Sequence, residues 1–287
     1  MPSIKKVAVI GSGVMGSGIA AQAANAGLEV FLLDIVAEGS DRDAVARNAI
    51  QRMSKTNPAP LMHARNAKRI QPGNLDDHLD WLAGCDLVIE AVLENLEIKK
   101  NLYQKVDAHR RSDCIVTSNT STIPLDHLVA EMPKSFRQHF AVTHFFNPPR
   151  YMRLLELVSG PDTRAEVIMA LRDFGDQLLG KSVVDCKDTP GFIANRIGIL
   201  WIGAAVRFAF EDGITVEEAD AIIGKPMGIP KTGIFGLLDL VGIDLQPHVE
   251  RSMLSLLPQG DMYRDIHRRS EFIEKMISDG YTGRKGK

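Results

Sequence analysis

A short apolar segment that leads directly into three regularly spaced glycines limits the possible folds of this chain more than any other feature. Residues 7–10 are apolar and of β type, Gly11-Ser-Gly13-Val-Met-Gly16 follows, and a helical pattern begins at Ser17. A strand, a GxGxxG turn and a helix in this order are typical of a dinucleotide-binding unit. The glycines permit a tight turn, close approach of the backbone to a pyrophosphate, and close packing of helix on strand. A glycine-rich turn without a ligand is the alternative.

An acidic residue at the end of the next predicted strand narrows the choice of cofactor. This strand, residues 29–33, ends at Asp34, 18 positions after Gly16. A carboxylate there can accept hydrogen bonds from the adenosine ribose hydroxyls, whereas the 2′-phosphate of NADP would meet a like charge. We therefore predict NAD as the cofactor. The candidate cofactor-binding residues of this unit are Gly11, Gly13, Val14, Met15, Gly16 and Asp34.

Length and composition are those of a globular protein with room for one large domain or two ordinary ones. Among the 287 residues, 45% are hydrophobic and 24% are charged, and the net charge is −2. A charge so close to zero gives no reason to expect nucleic acid or an anionic membrane surface as a partner. The most apolar predicted helix, residues 197–210, contains Arg207 and is too short to cross a bilayer, so no membrane span is expected.

The cysteines indicate a reducing compartment. Cys85, Cys114 and Cys186 lack the spacing of a metal site, so no bound metal is expected. Cys85 and Cys114 lie in or beside apolar stretches, and we predict that both are buried, reduced thiols. Because no secretory signal precedes the first strand, we expect a cytoplasmic protein.

The dinucleotide unit is predicted to extend into a doubly wound, Rossmann-type parallel sheet over residues 1–187. Strands are predicted at residues 87–89, 115–117, 140–143, 154–158 and 182–184, and helices at 41–53, 96–109 and 164–179. The stretch from Asn57-Pro-Ala-Pro60 to Arg69 is polar and basic. We expect either a solvated connection here or a helical hairpin that leaves the sheet to touch a long or phosphorylated substrate.

Polar side chains follow two of these strands. Glu94 lies in the loop after residues 87–89, and Ser118-Asn-Thr-Ser121-Thr follows residues 115–117. Because ligands of doubly wound sheets lie outside the carboxyl ends of the strands, the second loop is a candidate wall of the site. A plain Ser/Thr turn that caps the next helix is an equally good interpretation of that loop alone.

One carboxylate stands inside an apolar strand. Glu156 lies in Leu154-Leu-Glu-Leu-Val158, where an unpaired charge would be costly. His144, at the end of the preceding predicted strand, is an available partner. A histidine held by a buried carboxylate keeps one tautomer and becomes more basic, as a general base must. The pair is therefore a candidate catalytic centre.

The pattern changes after residue 187, and residues 188–287 are predicted to form a smaller, all-helical domain. Thr189 is a suitable N-cap with Pro190 at the first helical position, so a helix is expected over residues 191–210. That helix is apolar almost all round and is expected to be buried on several sides. Thr215-Val-Glu-Glu218 is a capping box for the next helix.

The motifs together resemble the L-3-hydroxyacyl-CoA dehydrogenases of fatty-acid β-oxidation, and the resemblance covers essentially the whole chain. It depends on the glycine-rich turn and on Val88-Ile-Glu-Ala-Val-Leu-Glu94, Ser118-Asn-Thr-Ser121, His144-Phe-Phe-Asn-Pro148, Asp188-Thr-Pro-Gly-Phe-Ile-Ala-Asn195-Arg196 and Gly236-Leu-Leu-Asp239. The sequence Pro148-Pro-Arg-Tyr-Met152 is more similar to that of bacterial multidomain β-oxidation proteins than to that of small stand-alone enzymes. The resemblance implies NAD, an acyl-CoA substrate and a bacterial cytoplasmic location.

The resemblance also implies roles for individual residues. His144 would be the catalytic base, Glu156 the carboxylate that orients it, Ser121 a contact to both substrate and nicotinamide, and Asn195 a residue that positions the acyl end of the substrate. Further cofactor contacts are implied for Glu94, Lys99, Asn147 and Lys285, and Asn147 is also implied at the substrate.

Two alternatives remain open at this stage. The enzyme could be a related dehydrogenase of a free 3-hydroxy acid or sugar acid, and acyl-chain length is not readable. The chain could also be a non-catalytic NAD-binding fragment of a longer polypeptide. The apolar helices after Pro190 are expected to be buried either in a homodimer or against downstream domains of such a polypeptide.

Overall fold

The computed structural model describes residues 4–228, 232–284 and 286. The described chain divides into two compact units, one that ends at Thr189 and a second that begins at Pro190. The first unit is a sheet with helices on its faces, and the second is built of helices. None of the described helices is long and apolar enough to cross a membrane.

The sheet of the first unit has eight strands in the order β3-β2-β1-β4-β5-β6-β7-β8. The strands are β1 Lys6–Ile10, β2 Glu29–Asp34, β3 Ile70–Asn74, β4 Leu87–Glu90, β5 Ile115–Ser118, β6 Phe140–Phe145, β7 Leu154–Ser159 and β8 Ser182–Cys186. The first six are parallel, in the order of a dinucleotide-binding sheet. Strand β7 pairs antiparallel with β6, and β8 pairs parallel with β7. The predicted fold class is confirmed, and the sheet is mostly rather than wholly parallel.

Helices cover both faces of this sheet because its strands are apolar on both sides. They are α1 Val14–Asn25, α2 Ala44–Met53, α3 Leu96–His109, α4 Leu125–Val129, α5 Lys134–Arg137 and α6 Ala165–Asp173, which continues into a π-helical turn, Phe174–Leu178. The core holds Val7, Val9, Leu32 and Ile89 at no more than 1% exposure. Cys85 and Cys114 are free and buried, as predicted.

One helix boundary predicted in this unit is wrong, and one of the two alternatives for the connection after Asn57 is excluded. Helix α1 begins at Val14, three residues before the predicted start, because the glycine turn passes directly into the helix. The stretch from Asn57 to Arg69 is a mostly exposed connection, one of the two expected forms, and it is not a helical hairpin. It contains a 3-10 helix, Ala64–Arg69, and strand β3 follows at the sheet edge, paired with β2.

The second unit contains α7 Ala194–Glu211, α8 Val216–Ile222, α9 Gly233–Val241, α10 Leu245–Leu256, α11 Met262–Ile266 and α12 Glu271–Ser278. Val206, Ile234, Leu238 and Ile273 form one of its apolar clusters. Helix α8 has the predicted capping box, in which the Thr215 hydroxyl accepts from the Glu218 N–H. A cavity of about 510 Å³ in this unit is lined by none of the predicted site residues.

The predicted start of α7 is wrong, and within this chain the helix is buried less than its apolar sequence predicts. Gly191 has φ +73° and Phe192 has φ +50°, so the chain turns here and the helix begins only at Ala194. Left-handed backbone cannot belong to a right-handed helix. Among the described residues of α7, only Val206 and Ala209 are buried, and Ile197 is 64% exposed. The apolar surface of this helix is therefore only partly covered.

Candidate active site and cofactor pocket

The glycine turn after β1 is closely packed at Gly11 and Gly16, whereas the space beside Gly13 is open. Gly11 has φ +99°, and an added Cβ would lie 2.5 Å from the carbonyl oxygen of Ala91. A Cβ on Gly16 would lie 1.8 Å from the carbonyl oxygen of Gly11. Around Gly13, no described atom lies within 4 Å of where its Cβ would be. Packing thus explains the first and third glycines, and open space for a ligand explains the second.

The amino end of α1 faces this open space. Its N-cap is Gly13, and no side chain of the described residues caps it. The first N–H groups of a helix have no partner within it and carry the positive end of its dipole, so an uncapped start favours an anion. The pyrophosphate of NAD fits this position.

Asp34, at the carboxyl end of β2, is held in a fixed orientation. Its Oδ2 accepts from both the N–H and the hydroxyl of Ser12 at 2.5 Å, and its Oδ1 accepts from the N–H of Ile35 at 2.7 Å. The carboxylate is thereby fixed at the edge of the glycine turn. Ser12, which the sequence interpretation missed, therefore positions the predicted ribose-binding acid.

A cavity of about 780 Å³ opens at the carboxyl ends of β1, β2 and β4. It lies at the switch point between β1 and β4, where strand order reverses and where ligands of such sheets bind. Its wall includes the predicted Gly11, Gly13, Val14, Met15, Asp34, Glu94 and Ser121. Leu93 and Ile98 supply apolar wall, and Lys105 supplies a cation that the sequence interpretation did not single out. These residues fit a dinucleotide.

His144 and Glu156 lie directly opposite each other on β6 and β7. The Nδ1 of His144 is 2.7 Å from Oε2 of Glu156. His144 is 6% exposed and Glu156 is fully buried. An ionised carboxylate only accepts hydrogen bonds, so Nδ1 of His144 is assigned as the donor in this bond. The structure thus brings together the two residues that the sequence paired.

The segment after His144 is held from two sides. The N–H of Phe145 donates to Oδ1 of Asn119 at 2.9 Å, which ties the end of β6 to the neighbouring loop. The ammonium group of Lys181 donates to the carbonyl oxygens of Pro149 and Met152. Burial lowers the pKa of Lys181 to about 8.

Glu94 organises the loop that carries Ser121. Its Oε1 accepts from the hydroxyl of Thr120 at 2.6 Å and from the N–H groups of Ser121 and Thr122 at 2.9 and 3.1 Å. Burial alone would raise the pKa of Glu94, but the charge of Lys99 and the bonds from this loop together lower it. Glu94 therefore stays a carboxylate at neutral pH and fixes the loop.

The remaining predicted residues have varied surroundings. Lys99 is 1% exposed, with Nζ 2.6 Å from Glu90 and 3.3 Å from Glu94. Asn147 is exposed after β6. Asn195 is partly buried in the first turn of α7, in the second unit. Lys285 lies outside the described residues.

Comparison with known families and proteins agrees with this geometry. Residues 6–189 match the NAD binding domain of 3-hydroxyacyl-CoA dehydrogenase, and residues 191–287 match the C-terminal domain of the same family. The match covers both compact units of the chain.

Individual relatives point the same way. The chain is 44% identical over 284 residues to a Rickettsia felis protein that is classed by its name as a fatty acid oxidation complex trifunctional enzyme. This alignment covers 99% of the chain but only 39% of that relative. Human mitochondrial hydroxyacyl-coenzyme A dehydrogenase is 32% identical, with 98% of the chain and 89% of the relative covered.

Comparison with a solved structure also indicates this family. The chain is similar to the (S)-3-hydroxybutyryl-CoA dehydrogenase of Ralstonia eutropha, with a TM-score of 0.80 and 29% identity over 99% of this chain and 96% of the other. The chain belongs to the 3-hydroxyacyl-CoA dehydrogenase family, with an NAD-binding unit followed by the C-terminal unit of that family.

Proposed function

We propose that this chain catalyses the NAD-dependent oxidation of an L-3-hydroxyacyl-CoA to the 3-oxoacyl-CoA. The observation that carries the proposal is the buried pair of His144 and Glu156 at the carboxyl end of β6, in the unit that holds the NAD-binding turn. Oxidation of a hydroxyl group needs a base that works near neutral pH, and histidine is the side chain best suited. The match of the C-terminal unit supports an acyl-CoA as the substrate.

In the proposed reaction, Nε2 of His144 accepts the proton of the substrate 3-hydroxyl group. Glu156 accepts a hydrogen bond from Nδ1, keeps one tautomer, and stabilises the imidazolium that forms. NAD, when bound, supplies the hydride acceptor. General-base assistance of this kind contributes about 10²–10⁴-fold to the rate.

Ser121 and Asn195 take supporting roles in this proposal. Ser121 lines the cavity, and its backbone is fixed by Glu94, which supports a contact to substrate and nicotinamide. The roles of Asn195 at the acyl end, of Asn147 at cofactor and substrate, and of Lys99 at the cofactor follow from the family resemblance.

The test is NADH oxidation, followed at 340 nm with acetoacetyl-CoA, for the wild type and for His144→Ala. We expect turnover by the wild type and a loss of about 10²–10⁴-fold in kcat for the variant. NADH affinity, measured by fluorescence, should be equal in both. His127→Ala, which changes an exposed histidine of α4 outside the cavity lining, is the matched control and should keep wild-type kcat.

Other results would overturn specific elements of the proposal. Turnover of free 3-hydroxybutyrate with no response to the CoA ester would replace the substrate class. A wild type that binds NADH and turns over neither compound would indicate an NAD-binding fragment of a longer protein. Equal activity of wild type and His144→Ala would remove the assigned base.

We also propose that the second unit associates with a second copy of the chain. Large apolar side chains of this unit are exposed, among them Ile197 at 64%, Phe272 at 59% and Leu240 at 51%. Exposed apolar side chains of this size are typical of an association surface, because burying them against a partner is favourable. Light scattering after size exclusion should give twice the mass of the chain. A monomer would instead favour another polypeptide segment as the covering partner.

A further inference from the structure

We propose that Glu90 is a positioning residue for the reaction, acting through Ser118 on the loop that carries Ser121. The inference deepens the proposed function and rests on it. Glu90 ends β4 and is 1% exposed. It does not line the cavity, and neither the family resemblance nor the sequence patterns gave it a role.

The carboxylate of Glu90 is fully engaged by four donors. Oε1 accepts from the N–H of Val92 at 2.8 Å and from Nζ of Lys99 at 2.6 Å. Oε2 accepts from the hydroxyl of Tyr103 at 2.7 Å and from the hydroxyl of Ser118 at 2.6 Å. A carboxylate offers about four acceptor positions, so this one is saturated and its orientation is fixed. Burial, together with the negative charge of Glu90, holds the pKa of Tyr103 well above its ordinary value.

Two of the bonds around Glu90 lead to the Ser121 loop, which we define as residues 119–122. The Ser118 hydroxyl, which donates to Glu90, also accepts from the N–H of Thr120 at 3.1 Å. The N–H of Asn119 donates to the backbone carbonyl of Glu90 at 2.8 Å. The start of this loop is therefore tied to Glu90 by both its side chain and its backbone.

The same carboxylate is linked to the other anchor of the loop. Lys99 lies between Glu90 and Glu94, at 2.6 and 3.3 Å from their oxygens. Glu94 in turn accepts from Thr120, Ser121 and Thr122. The Ser121 loop thus has one direct anchor at Glu94 and a second, buried anchor at Glu90 through Ser118.

The position of this loop matters because two of its residues, Asn119 and Ser121, line the cavity. Asn119 also accepts from the N–H of Phe145, next to His144. A displacement of about 1 Å in residues that position substrate can lower a rate by about 10²-fold. A shift of the Ser121 loop would therefore affect cofactor binding and the hydride step together.

Two substitutions separate positioning from stability. Ser118→Ala and Tyr103→Phe each remove one hydroxyl that donates to the same Oε2 of Glu90, and both residues are fully buried. Each should lower the melting temperature similarly, by about 2–4 °C. Only Ser118 is bonded to the Ser121 loop, and Tyr103 lies outside the cavity lining.

We expect Ser118→Ala to weaken NADH binding by about 3–10-fold and to lower kcat by about 10–100-fold. The isotope effect with NADH deuterated at the transferred position should rise, since hydride transfer would become more limiting. Tyr103→Phe should stay within about 2-fold of the wild type in NADH affinity and kcat, despite an equal loss of stability. Glu90→Gln should reproduce the kinetic defect of Ser118→Ala.

Equal effects of Ser118→Ala and Tyr103→Phe on NADH affinity would overturn the inference. Wild-type NADH affinity in Glu90→Gln would overturn it too, because the loop would then be positioned by Ser118 alone. This comparison needs no turnover. If the wild type shows no dehydrogenase activity, the proposed function fails, while the NADH affinities of Glu90→Gln, Ser118→Ala and Tyr103→Phe together still decide whether Glu90 positions the loop.

Discussion

Gly16 lies so close to Gly11 that any side chain at position 16 would overlap the carbonyl oxygen of Gly11. An added Cβ would be 1.8 Å from that oxygen. The start of α1 therefore packs directly on the glycine turn at the end of β1. Gly18 allows Pro149 to pack similarly close to α1, because an added Cβ would lie 2.7 Å from the proline ring. The glycine turn therefore serves packing as well as ligand binding.

The three-glycine turn predicts opposite outcomes for two alanine substitutions. Gly16→Ala should lower the free energy of unfolding by about 2–4 kcal/mol, because the backbone must move apart to admit a methyl group. Gly13→Ala should leave stability within about 1 kcal/mol, since its φ of −65° is open to alanine, but should weaken NADH binding by at least about 10-fold. Urea denaturation and fluorescence titration measure the two quantities. Unchanged NADH affinity in Gly13→Ala would show that the cofactor backbone does not approach this position.

The carboxylate of Glu156 predicts a kinetic phenotype without loss of cofactor affinity. Glu156→Gln keeps the shape of the side chain but cannot stabilise an imidazolium at His144 by charge, so kcat should fall by about 10²–10⁴-fold. NADH affinity should not change, because Glu156 is not among the cavity-lining residues. Steady-state kinetics and fluorescence titration measure both, and a fall confined to NADH affinity would contradict the assignment.

The buried Lys181 predicts a pH-dependent stability. Its pKa is lowered from 10.5 to about 8, so between these values the unfolded chain binds more protons than the folded chain. Stability rises with pH in that range, and the cost of the buried charge is fully present below pH 8. Relative to Lys181→Met, the wild type should gain about 1–3 kcal/mol between pH 7 and 10.

Urea denaturation at several pH values measures this difference, and only its slope matters, because Lys181→Met also removes bonds to the 149–152 segment. Lys187→Met, which changes an exposed lysine of the same stretch, is the matched control. Its difference from the wild type in the free energy of unfolding should not change with pH. If the difference for Lys181→Met is also independent of pH, the pKa of Lys181 is not lowered by burial.

The buried cysteines predict slow thiol chemistry. Burial raises the pKa of both Cys85 and Cys114 to about 12. At pH 8 the thiolate fraction of each is on the order of 10⁻⁴, and the reagent has no access. Ellman's reagent should therefore modify at most one thiol per native chain and all three in guanidinium. Rapid modification of two or more native thiols would contradict this burial.

The sequence patterns predicted the elements around the cofactor well, because strands buried on both faces are apolar throughout. They missed β3, since Pro72 and Gly73 interrupt its pattern, and its pairing with β2 at the sheet edge decides its conformation. They also placed the start of α7 too early. Thr189 and Pro190 form an ordinary start signal, but Gly191 and Phe192 adopt left-handed conformations that this signal does not predict.

The candidate site was predictable where a residue conflicts with its surroundings. Glu156 is conspicuous because a carboxylate stands in an apolar strand, and His144 was its obvious partner. Glu90 carries no such signal, because an acid at the end of a strand resembles a loop residue. Its donors, Val92, Lys99, Tyr103 and Ser118, come from separate elements that meet only in the folded sheet.

The antiparallel pairing of β6 and β7 limits where insertions and deletions can occur in related sequences. His144 and Glu156 meet because of strand register, so the connection between the two strands can lengthen or shorten without separating them. An insertion of one residue within either strand would turn one member of the pair to the opposite face of the sheet. We therefore expect insertions and deletions among relatives to be absent between either member of this pair and the adjoining core of its strand.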